Sequence, residues 1–433
     1  MRELLNLQII GGVVPWALTI TSLAMLIALL VRKPTKGWVI GSAVAIVVGV
    51  GVAVGIYIWA NTTLVFEIPL PDAVLGWTAA AFAGIGLAIV CIWRGRWWQR
   101  VIAVGAIGAF ALTGVVQVNA VFGIDPTVAD LLGVTVSNPV ALPHGHKATT
   151  PAAGTALYLR WHAPSGMPAE GRSGTVSIPG TVSHFHARLA GLYLPPAALV
   201  PNAPALPLMI MMMGYPGVPS IRPTADVVAR LAAAHHGLAP IVIVADQVGT
   251  DGDPGCTNGA RGNAEQYVTT DVLDWARKHL NIIQSPRYWT IAGYSNGATC
   301  AVKIGAQYPK EFRSVLAVSP ELYIGTHYSR TMIRHVFRGN LAAWQAAKPA
   351  VILAKNAHVH HFYRGEYTII TTGALDTHYG VQSHELAAAA RRAGMFVSLR
   401  VLPGVTHIGA NVVDGLSTGI GLLYARWGLA PAV

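Results

Sequence analysis

Four apolar segments in the first 122 residues constrain what this chain can fold into more than any other feature of its sequence. They are Ile9 to Val31, Trp38 to Ala60, Ala73 to Trp93 and Val101 to Val121. Each is close to the roughly 20 residues that an α-helix needs to cross the hydrocarbon core of a bilayer. Their near-absence of ionisable side chains argues against an ion path and favours an anchor. The sequence therefore predicts an all-α, four-helix transmembrane domain over residues 1–122.

Basic residues in the connecting loops predict the orientation of these helices. Two loops contain three basic residues each, which are Arg32, Lys33 and Lys36 in one and Arg94, Arg96 and Arg100 in the other. The loop between them contains only Glu67 and Asp72. By the positive-inside rule both basic loops are cytoplasmic. Four spans then place everything after residue 122 outside, so we expect a multi-pass plasma-membrane protein with a large extracytoplasmic domain.

The charge distribution divides the chain near the same position. Only 11% of the 433 residues are charged and 53% are hydrophobic, a composition typical of membrane proteins. The first 122 residues hold 7 of the 30 basic and 3 of the 19 acidic side chains, so the remainder has the density of a soluble domain. We interpret residues 123–150, rich in turn-forming residues, as a linker and residues 151–433 as one domain. The sequence has no basic run with interleaved aromatic residues, so it does not predict a nucleic-acid partner.

Apolar runs alternate with helical stretches in this second domain, a pattern typical of a doubly wound, mostly parallel sheet. The predicted strands are Gly174 to Ile178, Phe185 to Tyr193, Leu206 to Met213, Pro240 to Asp246, Tyr288 to Ala292, Arg313 to Ser319, Tyr367 to Thr372 and Phe396 to Leu402. The predicted helices are Thr224 to His235, Asn263 to Leu280 and Gln382 to Ala393. The fold class that we predict is therefore α/β.

The motif Gly293-Tyr294-Ser295-Asn296-Gly297 lies between a predicted strand and a helical run that starts at Ala298. This context is typical of a nucleophile elbow, in which a serine stands on a strained turn from strand to helix. Gly293 and Gly297 supply the small flanking residues that such a turn requires. The motif predicts that Ser295 is a catalytic nucleophile.

A serine nucleophile in this fold needs a base and an orienting acid, in the chain order serine, acid, histidine. Asp376 follows the strand Tyr367 to Thr372, and His407 follows the strand Phe396 to Leu402. We predict that His407 takes the proton of Ser295 and that Asp376 fixes its tautomer. Asp251 and Asp253 precede the elbow, which is the wrong order for the acid.

Other histidines among the sixteen in the chain offer alternatives. His378 is close to Asp376 in sequence and is a rival base, although it would lie on the same loop as the acid. Closely spaced histidines that could point to a metal are His144 with His146, His184 with His186, and His358 with His360 and His361. No carboxylate or cysteine accompanies them with persuasive spacing, so we expect no metal and no other cofactor.

The oxyanion hole of such an enzyme combines the N–H after the nucleophile with one from the loop after a central strand. The first would be the N–H of Asn296. The second loop is Gly214-Tyr215-Pro216-Gly217. Because Pro216 has no N–H, we expect Tyr215 to be the second donor.

Two of the three cysteines fall in the second domain. Cys256 closes a turn-rich loop and Cys300 lies about one turn into the helix after Ser295, whereas Cys91 lies inside the third apolar segment. Disulfides persist in extracytoplasmic compartments. We expect a Cys256–Cys300 bridge, with two unpaired thiols as the alternative.

Residues from about Gly174 to Gly409 resemble the esterase D family of α/β hydrolases, which includes the mycolyltransferases of mycobacterial and corynebacterial envelopes. The resemblance rests on Leu192-Tyr193-Leu194-Pro195-Pro196, the Gly214 to Gly217 loop, the Gly293 to Gly297 elbow and His407 after Pro403-Gly404. It implies an α/β-hydrolase fold and a serine esterase or acyltransferase that forms an acyl-enzyme. The mycolyltransferases have a glutamate in place of Asp376, and many members have methionine in place of Asn296, which favours hydrolysis over transfer. Typical secreted members lack the four spans.

Three functions are compatible with these features. The leading hypothesis is a membrane-anchored esterase that hydrolyses an acyl or aminoacyl ester of an envelope lipid or glycolipid. A second is an acyltransferase that passes the acyl group to a sugar or lipid alcohol. A third is a non-catalytic envelope scaffold, which a complete triad in the correct order disfavours.

Overall fold

The computed structural model describes residues 2–32, 34–63, 70–94, 96–123, 125–134, 136–142, 156–325 and 329–431. These residues form two compact units, Met1–Val136 and Ser137–Val433. The division falls within the predicted linker, of which residues 124, 135 and 143–150 lie outside the described residues. Glu67, His144 and His146 also lie outside them.

The first unit is helical. Its helices are α1 (Arg2–Leu5), α2 (Val13–Leu30), α3 (Lys36–Thr63), α4 (Asp72–Arg94), α5 (Trp97–Phe122) and α6 (Val128–Leu131). The helices α2 to α5 are long and apolar enough to cross a membrane. They contain the four predicted segments apart from a few terminal residues.

Small residues let these long helices pack closely. Helix α4 lies between α3 and α5, and α2 packs against α5. A side chain at Gly49 would overlap the carbonyl of Phe82, and one at Gly86 would overlap the carbonyl of Ala45. Backbones that approach so closely are typical of helix pairs in membranes. Large apolar side chains, such as Val47, remain exposed on the outer faces, as expected for contact with lipid.

The second unit is built around an eight-stranded sheet with the order β1-β2-β4-β3-β7-β8-β9-β10. Its strands are β1 (Arg172–Val176), β2 (Ala190–Leu194), β3 (Leu208–Met212), β4 (Ile241–Ala245), β7 (Trp289–Tyr294), β8 (Ser314–Val318), β9 (Tyr367–Gly373) and β10 (Phe396–Leu402); β5 (Asn258–Gly259) and β6 (Gly262–Asn263) form a separate short ladder. The β2 strand runs antiparallel to both of its neighbours, and all strands from β4 to β10 along the sheet are parallel.

Helices cover both faces of this sheet. They are α7 (Arg222–Ala234), α8 (Ala264–Gln266), α9 (Val272–His279), α10 (Asn296–Gln307), α11 (Ser329–His335), α12 (Leu341–Ala346), α13 (Pro349–Asn356), α14 (Tyr379–Arg392) and α15 (Ala410–Arg426), with a π-helical turn at Tyr267–Asp271 between α8 and α9. Helix α15 packs on α7, whereas α13 packs on α10 and α14. Every residue of β2, β3, β4, β7 and β8 is consequently buried.

One predicted strand is wrong over half of its length. The sequence predicts a strand from Phe185 to Tyr193, but β2 begins only at Ala190. The mispredicted residues are held as a loop, because the backbone N–H of Arg188 donates to the Asp246 carboxylate at 2.7 Å and that of Phe185 donates to the Ser183 hydroxyl at 3.2 Å. The interaction with the distant Asp246 side chain leaves no trace in the local hydrophobic pattern.

Candidate active site

Ser295 occupies the sharp turn between β7 and α10. Its backbone angles are φ 52° and ψ −118°, a combination that a residue with a side chain rarely adopts. Strain of this kind persists only where the surrounding structure enforces it, and it is concentrated at functional sites. The turn lifts the Ser295 hydroxyl above the carboxyl end of the sheet, as predicted for a nucleophile elbow.

The two flanking glycines explain how the chain makes this turn. A side chain at Gly293 would overlap the carbonyl of Gly297, and one at Gly297 would overlap the carbonyl of Met212 on the neighbouring strand. Only glycine fits at either position without moving backbone. The Gly-x-Ser-x-Gly pattern is therefore a direct requirement of the packing between β3, β7 and α10.

The structure brings Ser295, Asp376 and His407 together from the ends of three strands. The Nε2 atom of His407 lies 3.0 Å from the Oγ atom of Ser295. Its Nδ1 atom lies 2.8 Å from Oδ2 of Asp376. Because a carboxylate only accepts, Nδ1 carries the proton and Nε2 presents a lone pair to the serine. This is the tautomer that a general base requires.

Additional contacts hold the acid and the base in place. The second oxygen of Asp376, Oδ1, accepts the backbone N–H of Tyr379 at 3.0 Å. The carbonyl of His407 accepts hydrogen bonds from the Tyr294 hydroxyl at 2.9 Å and from Nδ2 of Asn411 at 2.7 Å. The ring of Tyr379 also lies against the imidazole, with 4.1 Å between ring centroids. Both the imidazole ring and the backbone carbonyl of His407 are therefore held in place.

His378, the alternative candidate for the base, lies beside the triad. His378 precedes α14, and burial lowers its pKa; nearby Asp376 opposes this effect while His407 adds to it. Among the residues that the structure describes, the histidine hydrogen-bonded to both Ser295 and Asp376 is His407.

The predicted oxyanion donors flank the nucleophile. A side chain at Gly214 would come within 3.5 Å of Cβ of Ser295, so the loop after β3 passes directly beside the elbow. Tyr215 is the next residue in that loop. Asn296 is the first residue of α10, and a first-turn N–H has no acceptor within its own helix. The assignment of Tyr215 and Asn296 as donors stays a prediction.

Two polar residues to which the sequence assigned no role in the site hold the Asn296 side chain. Its Nδ2 atom donates to Oδ2 of Asp253 at 2.9 Å, and its Oδ1 atom accepts from Nε2 of Gln247 at 3.2 Å. All three side chains are buried. The signal available in the sequence was the polar Asn296 itself, because a buried amide requires partners.

The Cys256–Cys300 disulfide is present and ties the loop of Asp253 to α10, with 5.5 Å between Cα atoms. One turn further along the helix, Lys303 donates to the carbonyl of Cys256 at 2.8 Å and forms a buried ion pair with Glu265. Burial lowers the pKa of Lys303, and the Glu265 charge opposes this effect. The helix behind the nucleophile is thus braced by a covalent and an ionic contact.

The remaining histidine groups do not form a metal centre in the described part of the chain, where no three His, Cys, Asp or Glu side chains converge. The pair His184 and His186 lies in the loop before β2, and His360 and His361 lie in the connection between α13 and β9, with 3.6 Å between their ring centroids.

The geometry of the second unit corresponds to a known class of enzymes. Residues 186–398 match the family model described as "Putative esterase". An uncharacterized protein of Corynebacterium glutamicum is 31% identical over 201 residues, a match that covers 43% of this chain and 46% of that protein. The chain thus aligns with about half the length of the curated relative that it matches.

Solved structures show the same fold. An S-formylglutathione hydrolase from Agrobacterium tumefaciens matches with a TM-score of 0.51 at 16% identity, over 60% of this chain and 97% of that chain. A ferulic acid esterase matches with a TM-score of 0.50 at 17% identity, over 60% and 99% of the two chains. The fold and the serine-centred site define a serine hydrolase with the α/β-hydrolase fold. Within that class, residues 186–398 of the second unit match the esterase family model, in agreement with the family resemblance in the sequence.

Proposed function

We propose that this protein is a membrane-anchored esterase that uses Ser295 to hydrolyse an acyl or aminoacyl ester of a cell-envelope lipid on the extracytoplasmic side. The observation that carries the proposal is the continuous hydrogen-bonded chain from Asp376 through His407 to Ser295. An uninterrupted acid, base and nucleophile in the tautomer needed for catalysis is the arrangement that acyl transfer requires.

The first half of the reaction forms an acyl-enzyme. As Oγ of Ser295 attacks the ester carbonyl carbon, its proton passes to Nε2 of His407. The carbonyl oxygen becomes an oxyanion, which the N–H groups of Asn296 and Tyr215 stabilise. When this intermediate collapses, the bond to the alcohol oxygen breaks and the imidazolium returns its proton to that oxygen. The Asp376 carboxylate stabilises the transient charge on His407.

The second half releases the acyl group. Nε2 of His407 takes a proton from water, and the resulting hydroxide equivalent attacks the acyl carbon of the Ser295 ester. Collapse of the second intermediate breaks the bond to Oγ, which recovers a proton from the imidazolium. The products are a free acid and a regenerated serine, and the net reaction consumes one water.

Apolar surface beside the triad supports an apolar acyl group. Tyr215 follows the glycine that lies against Ser295 and is 38% exposed, and Leu375 directly precedes Asp376 and is 58% exposed. A site that binds an apolar group is lined mainly by apolar side chains, so these two residues favour an apolar acyl group. The four apolar helices in the same chain would keep the site close to a membrane, where such esters are concentrated.

The reaction is tested with detergent-purified protein and Ser295→Ala. Wild type should bind a fluorophosphonate probe covalently and release free acid from envelope lipid extracts, as measured by mass spectrometry. Ser295→Ala should do neither, while Ser165→Ala, in an exposed loop, should behave as wild type. Equal labelling of Ser295→Ala and wild type would show that another residue is the nucleophile.

The orientation is tested separately with a membrane-impermeant maleimide in a Cys91→Ala background. We expect Ser165→Cys in the second unit to be labelled in intact cells. A residue in the first basic loop, changed by Thr35→Cys, should be labelled only after permeabilisation. The reverse pattern would place the esterase domain in the cytoplasm.

A further inference from the structure

Gln247 connects the two backbone segments that flank the nucleophile. It lies two residues after β4 and is buried. Its Nε2 atom donates to the carbonyl of Met213 at 2.5 Å and to Oδ1 of Asn296 at 3.2 Å. Met213 belongs to the loop after β3, and Asn296 follows Ser295. One side-chain nitrogen therefore holds both segments at a fixed separation.

The orientation of this group is determined by chemistry. Asp253 is a carboxylate and accepts only, so the atom of Asn296 that faces it must be the donor Nδ2. Oδ1 of Asn296 must then face Gln247, and Gln247 must present its NH₂ group. Oδ1 of Asp253 accepts the N–H of Gly255 at 2.7 Å, which fixes the carboxylate itself.

We propose that Gln247 is a positioning residue for the oxyanion hole, an inference that rests on the proposed esterase function. In a trans peptide the C=O and N–H point in opposite directions. Because Gln247 holds the Met213 carbonyl, it fixes the orientation of the Met213–Gly214 peptide. The loop continues from this peptide to Tyr215. By holding Asn296, Gln247 sets the start of α10 and the direction of the Asn296 N–H.

Displacement of the two N–H groups should weaken binding of the transition state more than binding of the substrate. Gln247 is buried behind these segments and does not act on substrate itself. The two N–H groups bind the oxyanion more strongly than the ester carbonyl, so their misplacement lowers the rate of the chemical step more than it weakens substrate binding. Loss of one oxyanion donor costs about 10²- to 10³-fold in kcat. Displacement without loss should cost less, about 10- to 100-fold.

The test is Gln247→Met, which keeps the length of the side chain and removes both polar atoms. We expect kcat for p-nitrophenyl butyrate to fall about 10- to 100-fold, with KM within about twofold. The inhibition constant of butylboronic acid, which forms a tetrahedral adduct with serine, should rise in parallel with the loss of kcat. Gln345→Met, on the exposed side of α12, is the matched control and should leave all three values unchanged.

A second variant changes the other partner of the hydrogen bond between Gln247 and Asn296. Asn296→Ala removes the side-chain amide but keeps the backbone N–H, so it should reproduce the loss of kcat and of boronate affinity. It also provides the measurement if Gln247→Met does not fold. Unchanged kcat and boronate affinity in either folded variant would overturn the inference. A parallel rise in KM with no change in the boronate constant would also overturn it, because that pattern indicates damage to substrate binding.

The inference and the proposed function fail in different ways. A wild-type protein without Ser295-dependent ester hydrolysis would overturn the esterase function and this role of Gln247 together. Wild-type activity that is lost in Ser295→Ala but retained in Gln247→Met would overturn only the role of Gln247.

Discussion

The hydroxyl of Tyr294 donates a hydrogen bond to the backbone carbonyl of His407 across a distance of 2.9 Å. Tyr294 directly precedes the nucleophile, so this bond links the strand that carries Ser295 to the loop that carries its base. Burial raises the pKa of Tyr294, and the Asp376 charge adds to the effect, so the hydroxyl keeps its proton and remains a donor. The catalytic distance between Ser295 and His407 is therefore set partly by a bond outside the triad.

Tyr294→Phe removes this bond and should lower kcat several-fold. The decrease should be limited, because Asn411 still donates to the same carbonyl at 2.7 Å. We expect the free energy of unfolding to fall by about 1 kcal/mol, the usual net value of one hydrogen bond. Tyr363→Phe is the matched control, since its hydroxyl donates to Ala306 at 2.8 Å. It should lower the melting temperature similarly and leave kcat unchanged; a loss of kcat in both variants would contradict the proposed link.

Asp376→Asn should nearly abolish turnover while leaving the fold intact. The amide NH₂ can no longer accept from Nδ1 of His407, so the imidazole shifts to the tautomer that places a proton on Nε2, facing Ser295. We expect kcat to fall about 10³- to 10⁴-fold. Asp274→Asn removes a carboxylate from an exposed ion pair with Arg277 and should be neutral. Retention of more than a tenth of wild-type kcat in Asp376→Asn would show that another acid orients His407.

Glu366 should make the second unit less stable as the pH rises. Burial raises the pKa of Glu366 from 4.5 to about 9, although Arg313 and Arg426 oppose the shift. Between these two pKa values the folded state holds a proton that the unfolded state has lost, so stability falls with increasing pH. Glu366→Gln should melt at nearly the same temperature as wild type at pH 4, below the unfolded-state pKa, and at a higher temperature at pH 8.

The control for this prediction is Glu385→Gln, on the exposed side of α14. It should show the same pH dependence as wild type in thermal unfolding. The opposite sign, in which Glu366→Gln is less stable than wild type at pH 8, would mean that the Glu366 carboxylate is ionised and paired in the folded protein.

Loss of the Cys256–Cys300 bridge should lower both stability and activity. The cysteines are 44 residues apart, and closing a loop of that length contributes about 4 kcal/mol in the chain-entropy account. The double variant Cys256→Ala/Cys300→Ala should therefore melt at a lower temperature. Its kcat should also fall, because the loop carries Asp253, which binds Asn296. Cys91→Ala, which removes the free buried cysteine, should change neither value; an unchanged melting temperature in the double variant would contradict the prediction.

The sequence was sufficient for the parts of the molecule that depend on local patterns. The apolar helices follow from segment length. The elbow follows from Gly293 and Gly297, whose packing tolerates no side chain. Asp376 and His407 could be placed because parallel strands bring their carboxyl ends to one edge of the sheet, so a polar residue after each strand converges on the nucleophile.

The parts that the sequence did not predict depend on contacts between distant residues. The residues before β2 are held by Asp246, whose carboxylate accepts the N–H of Arg188 from 58 residues away. Helix α15, which packs on α7, was missed. The partners of Asn296 come from two loops that precede it by 49 and 43 residues, at Gln247 and Asp253. Such contacts are decided by the assembled tertiary structure, so no periodicity in the sequence reports them.

The separation in sequence between nucleophile and base also determines at which stage of synthesis the triad can be completed. Ser295 and His407 are 112 residues apart, and β10, which precedes His407, is the edge strand of the sheet and the last to be synthesised. A nascent chain that has emerged as far as α10 contains the serine but neither of its partners. The apolar helices are completed well before that point. The nascent chain therefore lacks a triad, and the site that the proposed esterase function requires is complete only when β10 has been translated and has paired with β9.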